Sequence, residues 1–356
     1  MRTDALGSST PDAPKHPANG DPHVTTSSGP TVPFALARFA SDAGPVPGLV
    51  VGDRIRPLSA AELGADTLNE FLAEGESGWD RLEPLAAESA DDADPSAAVW
   101  LPLASVTLLA PVEPRQVLQT GANYRTHVID LVVAGRAKQD PRPVEELREW
   151  AAELMDRRAR EGIPYFFIGL PACVVGTEEI LELPAYSDQH DWELELAVVI
   201  GAPAFRVSRE DALAHVAGYT IVNDVTTRDL VFRQDMKEIG TDWYRAKNAP
   251  GFLPTGPFLV PARHIADAGD LRLTLSVNGE TMQDATTDDL LFDIPALIAA
   301  ASETMPLLPG DLLLTGSPAG NGVVHGRMLR DGDVMVGTIE GLGSQVVHAA
   351  AARVPA

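Results

Sequence analysis

The stretch DWELELAVVIG, residues 191–201, decides the fold. It is rich in Leu, Val and Ile, as expected of a buried strand, but it carries Glu193 and Glu195 two positions apart. Residues i and i+2 of a strand point to the same face, so both carboxylates are expected on one face and Leu194 and Leu196 on the other. Like charges side by side on a strand repel each other, and a cation between them removes that cost. The pattern therefore suggests a metal site.

A third carboxylate is available at Asp224, which ends the apolar stretch GYTIVND, residues 218–224. Three carboxylates without a nearby Cys or His cluster favour a hard cation over zinc: Mg²⁺ or Mn²⁺, with Ca²⁺ also possible. The alternative is that acidic strands line a solvated face of a very acidic protein. Short spacings have poor specificity, so the residues alone leave both interpretations open.

Composition excludes several function classes. The 356 residues carry 51 acidic and 27 basic side chains, a formal net charge of −24 that repels phosphate backbones and argues against nucleic acid as a partner. No stretch is apolar enough for a membrane span, so no membrane partner is expected. A single cysteine, Cys173, excludes an intramolecular disulfide and favours a cytoplasmic location.

The chain divides by composition into three parts. Residues 1–32 are rich in Pro, Ser, Thr and Gly and are predicted to be a disordered tail. Residues 33–112 are predicted to form a small α+β domain, and residues 113–356 a larger, mostly β domain. Within the latter, residues 131–163 are predicted to be a helical lid or insertion, and the strongly helical part, 142–161, is predicted to be either a mobile lid or a dimer-contact helix.

Turn-punctuated strands dominate after Phe166. The sequence VNGE, residues 277–280, contains an Asn-Gly dipeptide typical of a tight β-hairpin turn. Two helices are predicted to interrupt the strands, near residues 209–218 and 292–305.

Three further segments could carry chemistry. His127 and Asp130 lie three apart in GANYRTHVIDL, and on a helical turn the carboxylate could orient the imidazole as a general base. A surface ion pair is the alternative for this pair. Lys247 is one of only four lysines and could stabilise a substrate carboxylate or enolate oxygen. The small-residue loop at 311–322 could offer backbone N–H groups to an anion.

Taken in order, these segments resemble the fumarylacetoacetate hydrolase family from about Pro114 to about Val347. The matching pieces are GANYRTH, FFIGLPACVVG, the D-x-E-x-E strand, NDVTTRD, AKNAPGFLPTGP, VNGETMQDATTDDLLF, LLPGDLLLTGSPAG and DGDVMVGTIEGLG. The resemblance implies an α+β, mostly β fold, with a rolled mixed β-sheet catalytic domain. It also implies homodimers and a small-molecule substrate, a 2-oxo or β-dicarbonyl acid.

The resemblance also implies a set of site residues. Mg²⁺ or Mn²⁺ would be held by Glu193, Glu195 and Asp224. The catalytic groups would be His127, Asp130 and Lys247. The substrate-binding candidates are Tyr124, Arg125, Arg228, Gly316 and Ser317.

The chain departs from the family pattern at four positions. Asp130 stands where family members often have Glu, Gly169 where many have Lys, Val231 where Gln is frequent, and Ser317 where the pattern has Thr. The segment 131–163 is also longer than the connection in many relatives. These residues bear on the substrate more than on the metal.

Three hypotheses on function follow. The first is metal-assisted hydrolysis of a C–C bond between two carbonyls, in which His127, oriented by Asp130, activates water and Lys247 helps to hold the leaving enolate. The second is decarboxylation of a 2-oxo-dicarboxylate such as oxaloacetate, which needs the metal but no attacking water. The third is a non-catalytic metal- or ligand-binding protein on the same scaffold.

Overall fold

A computed structural model describes residues 28–88, 99–137 and 140–352. Most of the predicted tail therefore lies outside the described residues. Its last five residues, 28–32, contact the folded chain, since Ser28 Oγ lies 2.8 Å from Ser344 Oγ and Val32 packs against the apolar core. Residues 28–32 are therefore described together with the fold, and the predicted boundary at residue 33 remains a prediction.

The described residues form twenty strands and eight α-helices. The strands are β1 Ala35–Phe39, β2 Val46–Val51, β3 Arg54–Pro57, β4 Leu101–Pro102, β5 Leu108–Leu109, β6 Val117–Gly121, β7 Tyr165–Gly169, β8 Val174–Val175, β9 Leu181–Leu183, β10 His190–Asp191, β11 Leu194–Ile200, β12 Val216–Asn223, β13 Thr226–Thr227, β14 Leu253–Pro254, β15 Val260–Pro261, β16 Arg272–Val277, β17 Glu280–Thr286, β18 Leu312–Leu314, β19 Val334–Ile339 and β20 Gly343–Ala351. The helices are α1 Ala60–Leu63, α2 Leu68–Ala73, α3 Glu76–Ala87, α4 Arg125–Arg136, α5 Val144–Glu161, α6 Trp243–Lys247, α7 Ile294–Thr304 and α8 Gly322–His325. None of these helices has the length and apolar character needed to cross a bilayer.

Three sheets organise the fold. The N-terminal sheet has the order β4-β3-β2-β1-β5 and is antiparallel, with α1 to α3 following β3. The central sheet has the order β15-β12-β11-β18-β6-β7, and it is mixed because β18 and β6 run parallel. The third sheet has the order β17-β16-β19-β20-β9.

Strand β11 is buried along its whole length, because both faces of the central sheet are covered. On one face, Leu194 and Leu196 join an apolar core that includes Leu275 of the third sheet. On the other face, Ala197 joins a core that includes Leu36 of the N-terminal sheet. A strand covered on both sides is expected to be continuously apolar, which explains the LAVVI run. The division into domains at residue 112 remains a prediction.

Local sequence signals agree with most of these elements. Asn278 and Gly279 connect β16 to β17, both with positive φ (53° and 81°), so the predicted hairpin turn is confirmed. The predicted helix over 142–161 is confirmed as α5. The prediction of a helix near 209–218 was wrong. A short 3₁₀ turn, Ala212–His215, forms there instead, because β12 begins at Val216.

Candidate metal centre

The three predicted carboxylates meet at one end of β11. One oxygen from each of Glu193, Glu195 and Asp224 lies within 4.8 Å of the others. The register of the antiparallel pair β11–β12 explains this, because Leu194 opposes Asn223 and the N–H of Asp224 donates to the carbonyl of Glu193 at 2.8 Å. The side chains are 9, 1 and 1 % exposed, which argues against a solvated acidic face.

Lys247 reaches this cluster from the last turn of α6. Its Nζ lies 2.5 Å from Glu193 Oε2, contacts Asp224 Oδ2 and donates to the carbonyl oxygen of Asp224 at 3.1 Å. Asp242 begins the helix, since its side chain accepts from the N–H of Arg245. The lysine is 1 % exposed, so its charge is retained only because carboxylates surround it.

The electrostatics of the three carboxylates differ. Burial raises the pKa of Glu195 well above its ordinary value, and the charges of Asp224 and Glu193 raise it further. Burial also raises the pKa of Asp224, to about 6, against the opposing charge of Lys247. Burial acts on Glu193 in the same direction, but the charges of Lys247 and Arg228 outweigh it and lower its pKa to about 2.

Arg228 is the second basic group of the centre, and Asp191 holds it there. Arg228 Nε donates to Asp191 Oδ2 at 2.7 Å, and its Nη2 lies 2.7 Å from Glu193 Oε1. Asp191 also accepts from the N–H groups of Gly322 and Val323 at the start of α8. The predicted substrate-binding arginine is therefore engaged with two carboxylates and braces Glu193.

The loop after β18 contributes a backbone donor. The N–H of Gly316 donates to Glu195 Oε2 at 2.7 Å, so the anion that it binds is a protein carboxylate rather than a substrate. Gly316 has φ +102°, and a Cβ there would lie 3.0 Å from the Cβ of Asn123. Ser317 Oγ accepts from Gln283 at 3.0 Å and from Asn321 at 3.3 Å, so its hydroxyl is engaged within the protein.

Two predicted residues present polar atoms without a partner. Tyr124 is fully buried, its hydroxyl has no hydrogen-bond partner, and its pKa is raised by burial and by the charge of Glu195. Nδ1 of His127 is also buried without a partner. Burial lowers the pKa of His127, although the charge of Glu193 acts in the opposite direction. The Tyr124 hydroxyl and His127 Nδ1 are therefore buried polar atoms that no described residue satisfies.

The expectation that Asp130 orients His127 is not met. Asp130 Oδ1 accepts from Arg148 Nη2 at 2.7 Å, in an ion pair that links α4 to α5. The reason is that α5 supplies Arg148, a cation that the sequence spacing of His127 and Asp130 does not reveal. Arg125 has a similar role, since its Nε donates to Asp156 Oδ1 of α5 at 2.7 Å.

Sequence reasoning missed two residues of the centre. Asp191 stands in the D-x-E-x-E motif but was given no role, although its carboxylate is fully buried. Gln119 of β6 is fully buried and donates through Nε2 to Asp224 Oδ1. The sequence feature that could have identified Gln119 is its position as a polar residue directly after the apolar first residues of β6.

The residues present fit a divalent cation. Among the described residues, the ion-pair partners of Asp191, Glu193, Glu195 and Asp224 are Lys247 and Arg228, which leaves a deficit of two positive charges when all six side chains are ionised. The candidate ligands supply oxygen, as Mg²⁺ and Mn²⁺ prefer. Glu193, Glu195 and Asp224 would hold the ion.

Comparison with known proteins identifies the relationship. Residues 116–348 match the model of the fumarylacetoacetate hydrolase C-terminal domain. The chain is 33 % identical to the mitochondrial oxaloacetate tautomerase of Xenopus laevis over 331 residues, which cover 91 % of this chain and 92 % of that protein.

Two solved structures share the fold. The fumarylacetoacetate hydrolase of Exiguobacterium antarcticum is 29 % identical with a TM-score of 0.69, covering 90 % of this chain and all of that one. The maleylpyruvate hydrolase of Sphingobium sp. SYK-6, in complex with Mn²⁺ and pyruvate, is 27 % identical with a TM-score of 0.66 and the same coverage. The predicted α+β, mostly β fold class is thereby confirmed. The chain belongs to the fumarylacetoacetate hydrolase family.

Proposed function

We propose that this protein is an enzyme that uses Mg²⁺ or Mn²⁺ to hydrolyse a C–C bond in a small β-dicarbonyl or acylpyruvate-type 2-oxo acid. The observation that carries the proposal is the buried carboxylate cluster Glu193, Glu195 and Asp224, with Lys247 inside it and the unpartnered Nδ1 of His127 nearby. The maleylpyruvate hydrolase with bound Mn²⁺ and pyruvate supports this reaction class.

The divalent ion, when bound, would polarise the carbonyl oxygens of a 2-oxo acid. His127 acts as the general base. Its lowered pKa keeps the imidazole neutral near pH 7, so that it can take a proton from water while the water oxygen adds to the carbonyl carbon. The C–C bond then breaks, and its electron pair remains on the leaving fragment as an enolate. Return of the proton from His127 converts the enolate to the keto product.

Lys247 and Tyr124 stabilise negative charge during this sequence. The three N–H groups of Lys247 already donate to Glu193 and Asp224, so its ammonium would stabilise an enolate oxygen through its charge. The buried hydroxyl of Tyr124 has no protein partner and can donate to the substrate. Its raised pKa keeps it protonated and therefore able to donate.

The test is pyruvate release from an acylpyruvate, with Mn²⁺ or Mg²⁺ and after chelation. Glu195→Gln keeps the size of the side chain but removes its charge, so hydrolysis should fall to background. Glu182→Gln, at an exposed position of β9, is the matched control and should retain full activity. Full metal-dependent activity of Glu195→Gln would contradict the proposed ligand set. A bound metal without turnover of any β-dicarbonyl acid would favour a non-catalytic binding protein.

Keto–enol tautomerisation of a 2-oxo-dicarboxylate is a second candidate. It is supported by the pairing of Asp130 with Arg148, by the absence of a hydrogen-bond partner for His127 Nδ1 among the described residues, and by the relationship to an oxaloacetate tautomerase. The same imidazole would move a proton between carbon and solvent. Following the enol form of oxaloacetate, pyruvate release and CO₂ release in parallel separates tautomerisation, hydrolysis and decarboxylation. Homodimer formation and a cytoplasmic location remain predictions.

A further inference from the structure

Gln119 is placed beside the candidate metal centre by the pairing of β6 with β7. Gln119 opposes Phe167, and Val117 opposes Gly169, in this antiparallel pair. Side chains of opposed residues lie on the same face, so Gln119 and Gly169 are neighbours there. Gln119 is fully buried, and its Nε2 donates to Asp224 Oδ1.

The absence of a side chain at Gly169 makes room for Gln119. A Cβ at position 169 would lie 2.9 Å from Gln119 Oε1 and 3.1 Å from its Cδ. The φ of Gly169 is outside the left-handed region, so the backbone does not require glycine. The glycine therefore serves the packing of the glutamine. A longer side chain at position 169 would displace Gln119 further.

The carboxamide of Gln119 is not explained by packing alone. Its Oε1 is buried and has no hydrogen-bond partner, which destabilises a folded protein. Its N–H, in contrast, holds one oxygen of a candidate metal ligand. Lys247 contacts the other oxygen, Oδ2. The two donors together fix the plane of the Asp224 carboxylate.

We propose that Gln119 is a positioning residue for the metal ligand Asp224, and that Gly169 is its steric partner. By holding Oδ1 while Lys247 contacts Oδ2, Gln119 fixes the orientation in which the Asp224 carboxylate meets Glu193 and Glu195. This inference rests on the metal centre of the proposed function and is independent of which bond the enzyme breaks.

The experiment is a double-mutant cycle on Mn²⁺ affinity, measured in the full chain from the electron paramagnetic resonance signal of free Mn²⁺. Gln119→Ala should weaken binding about 10- to 100-fold, the usual effect of losing a hydrogen bond to a metal ligand. Gly169→Ala should also weaken binding, because its Cβ displaces the carboxamide. The double variant should bind as Gln119→Ala does, because there is then no carboxamide to displace.

Thr120→Val is the matched control. Thr120 is the next residue of β6, is buried and points to the opposite face, so Mn²⁺ affinity should not change. Thermal unfolding in chelator shows whether each variant is folded. For a Gln119→Ala variant that does not fold, Gln119→Met keeps the volume without the donor and should show the same loss of affinity.

Three results would overturn the proposal. If folded Gln119→Ala or Gln119→Met bound Mn²⁺ as tightly as the wild type, Gln119 would not position Asp224. If the losses of Mn²⁺ affinity in Gln119→Ala and Gly169→Ala added up in the double variant, Gly169 would not be the steric partner of Gln119. Absence of Mn²⁺ binding by the wild-type chain would overturn the metal centre and the positioning role together. Normal Mn²⁺ binding without C–C hydrolysis would contradict only the proposed function.

Discussion

Lys247 Nζ lies 2.5 Å from Glu193 Oε2, inside a cluster that also contains Asp224. A buried ammonium between two carboxylates neutralises part of their charge before any cation binds. Removal of one partner of such a buried pair leaves an uncompensated charge, which is more destabilising than loss of a surface ion pair.

Lys247→Met should therefore lower the free energy of unfolding of the metal-free protein by about 3–5 kcal/mol. Urea unfolding in chelator measures this change. Mn²⁺ should restore more stability to the variant than to the wild type, because Asp224 then lacks the ammonium and Glu193 keeps only Arg228 as a counter-ion. Lys237→Met, at an exposed site, is the control and should unfold as the wild type does. An equal loss in both variants would contradict the role of Lys247.

The pH dependence of activity should reflect His127. Its pKa is lowered by burial, so the neutral imidazole persists below the ordinary value of about 6.5. As the pH falls, kcat/KM should decline only through a midpoint below 6.5, because protonation removes the base. His127→Ala should reduce kcat about 10²- to 10⁴-fold. His348→Ala, exposed on β20, should not. A midpoint above 6.5 would contradict this assignment.

Asp130→Ala should have a much smaller effect than His127→Ala. Asp130 pairs with Arg148 at the surface, where the two side chains are 37 and 53 % exposed, and such pairs contribute at most about 1 kcal/mol. We expect less than about a tenfold loss in kcat, equivalent to less than about 1.4 kcal/mol. Steady-state kinetics of both variants test this. Equal losses would show that Asp130 orients the imidazole during turnover.

Asp191→Asn should weaken the centre without removing a metal ligand. Asp191 holds Arg228 and two N–H groups of α8, so the neutral amide loses the ion pair and leaves Arg228 bound only to Glu193. A loss of about 3–5 kcal/mol in unfolding free energy is expected from a broken buried pair.

Calorimetric Mn²⁺ affinity of Asp191→Asn should fall together with its stability. Asp229→Asn provides the control, since Asp229 is exposed and only accepts from Ser187 Oγ. If Asp191→Asn were as stable as the wild type and bound Mn²⁺ equally well, Asp191 would not be needed to hold Arg228 beside Glu193.

Sequence could predict the parts of the centre that depend on strand periodicity. Glu193 and Glu195 converge because alternate residues of a strand share a face, and Asp224 joins them because β12 is the next strand in the sheet. The carboxylate cluster could therefore be predicted from the order of the motifs along the chain. The structure adds that one oxygen of each carboxylate lies within 4.8 Å of the others.

The remaining features depend on partners that are distant in the chain. Arg148 captures Asp130 from another helix, and the N–H of Gly316 reaches Glu195 across the central sheet. Gln119 reaches Asp224 only because a strand far along the chain presents glycine beside it. Local periodicity carries no information on such contacts. The short turn at Ala212–His215 shows the same limit, since tertiary pairing of β12 overrides a helical pattern.

The burial of β11 on both faces has a consequence for how a bound ion leaves. Glu195 lies inside β11, opposite Val222 of β12, so its backbone is expected to open less readily than that of residues beyond the strand ends. Glu193 and Asp224 lie just outside the ends of β11 and β12, where local opening costs less. When a bound ion leaves, Glu193 and Asp224 are therefore expected to dissociate from it first and Glu195 last.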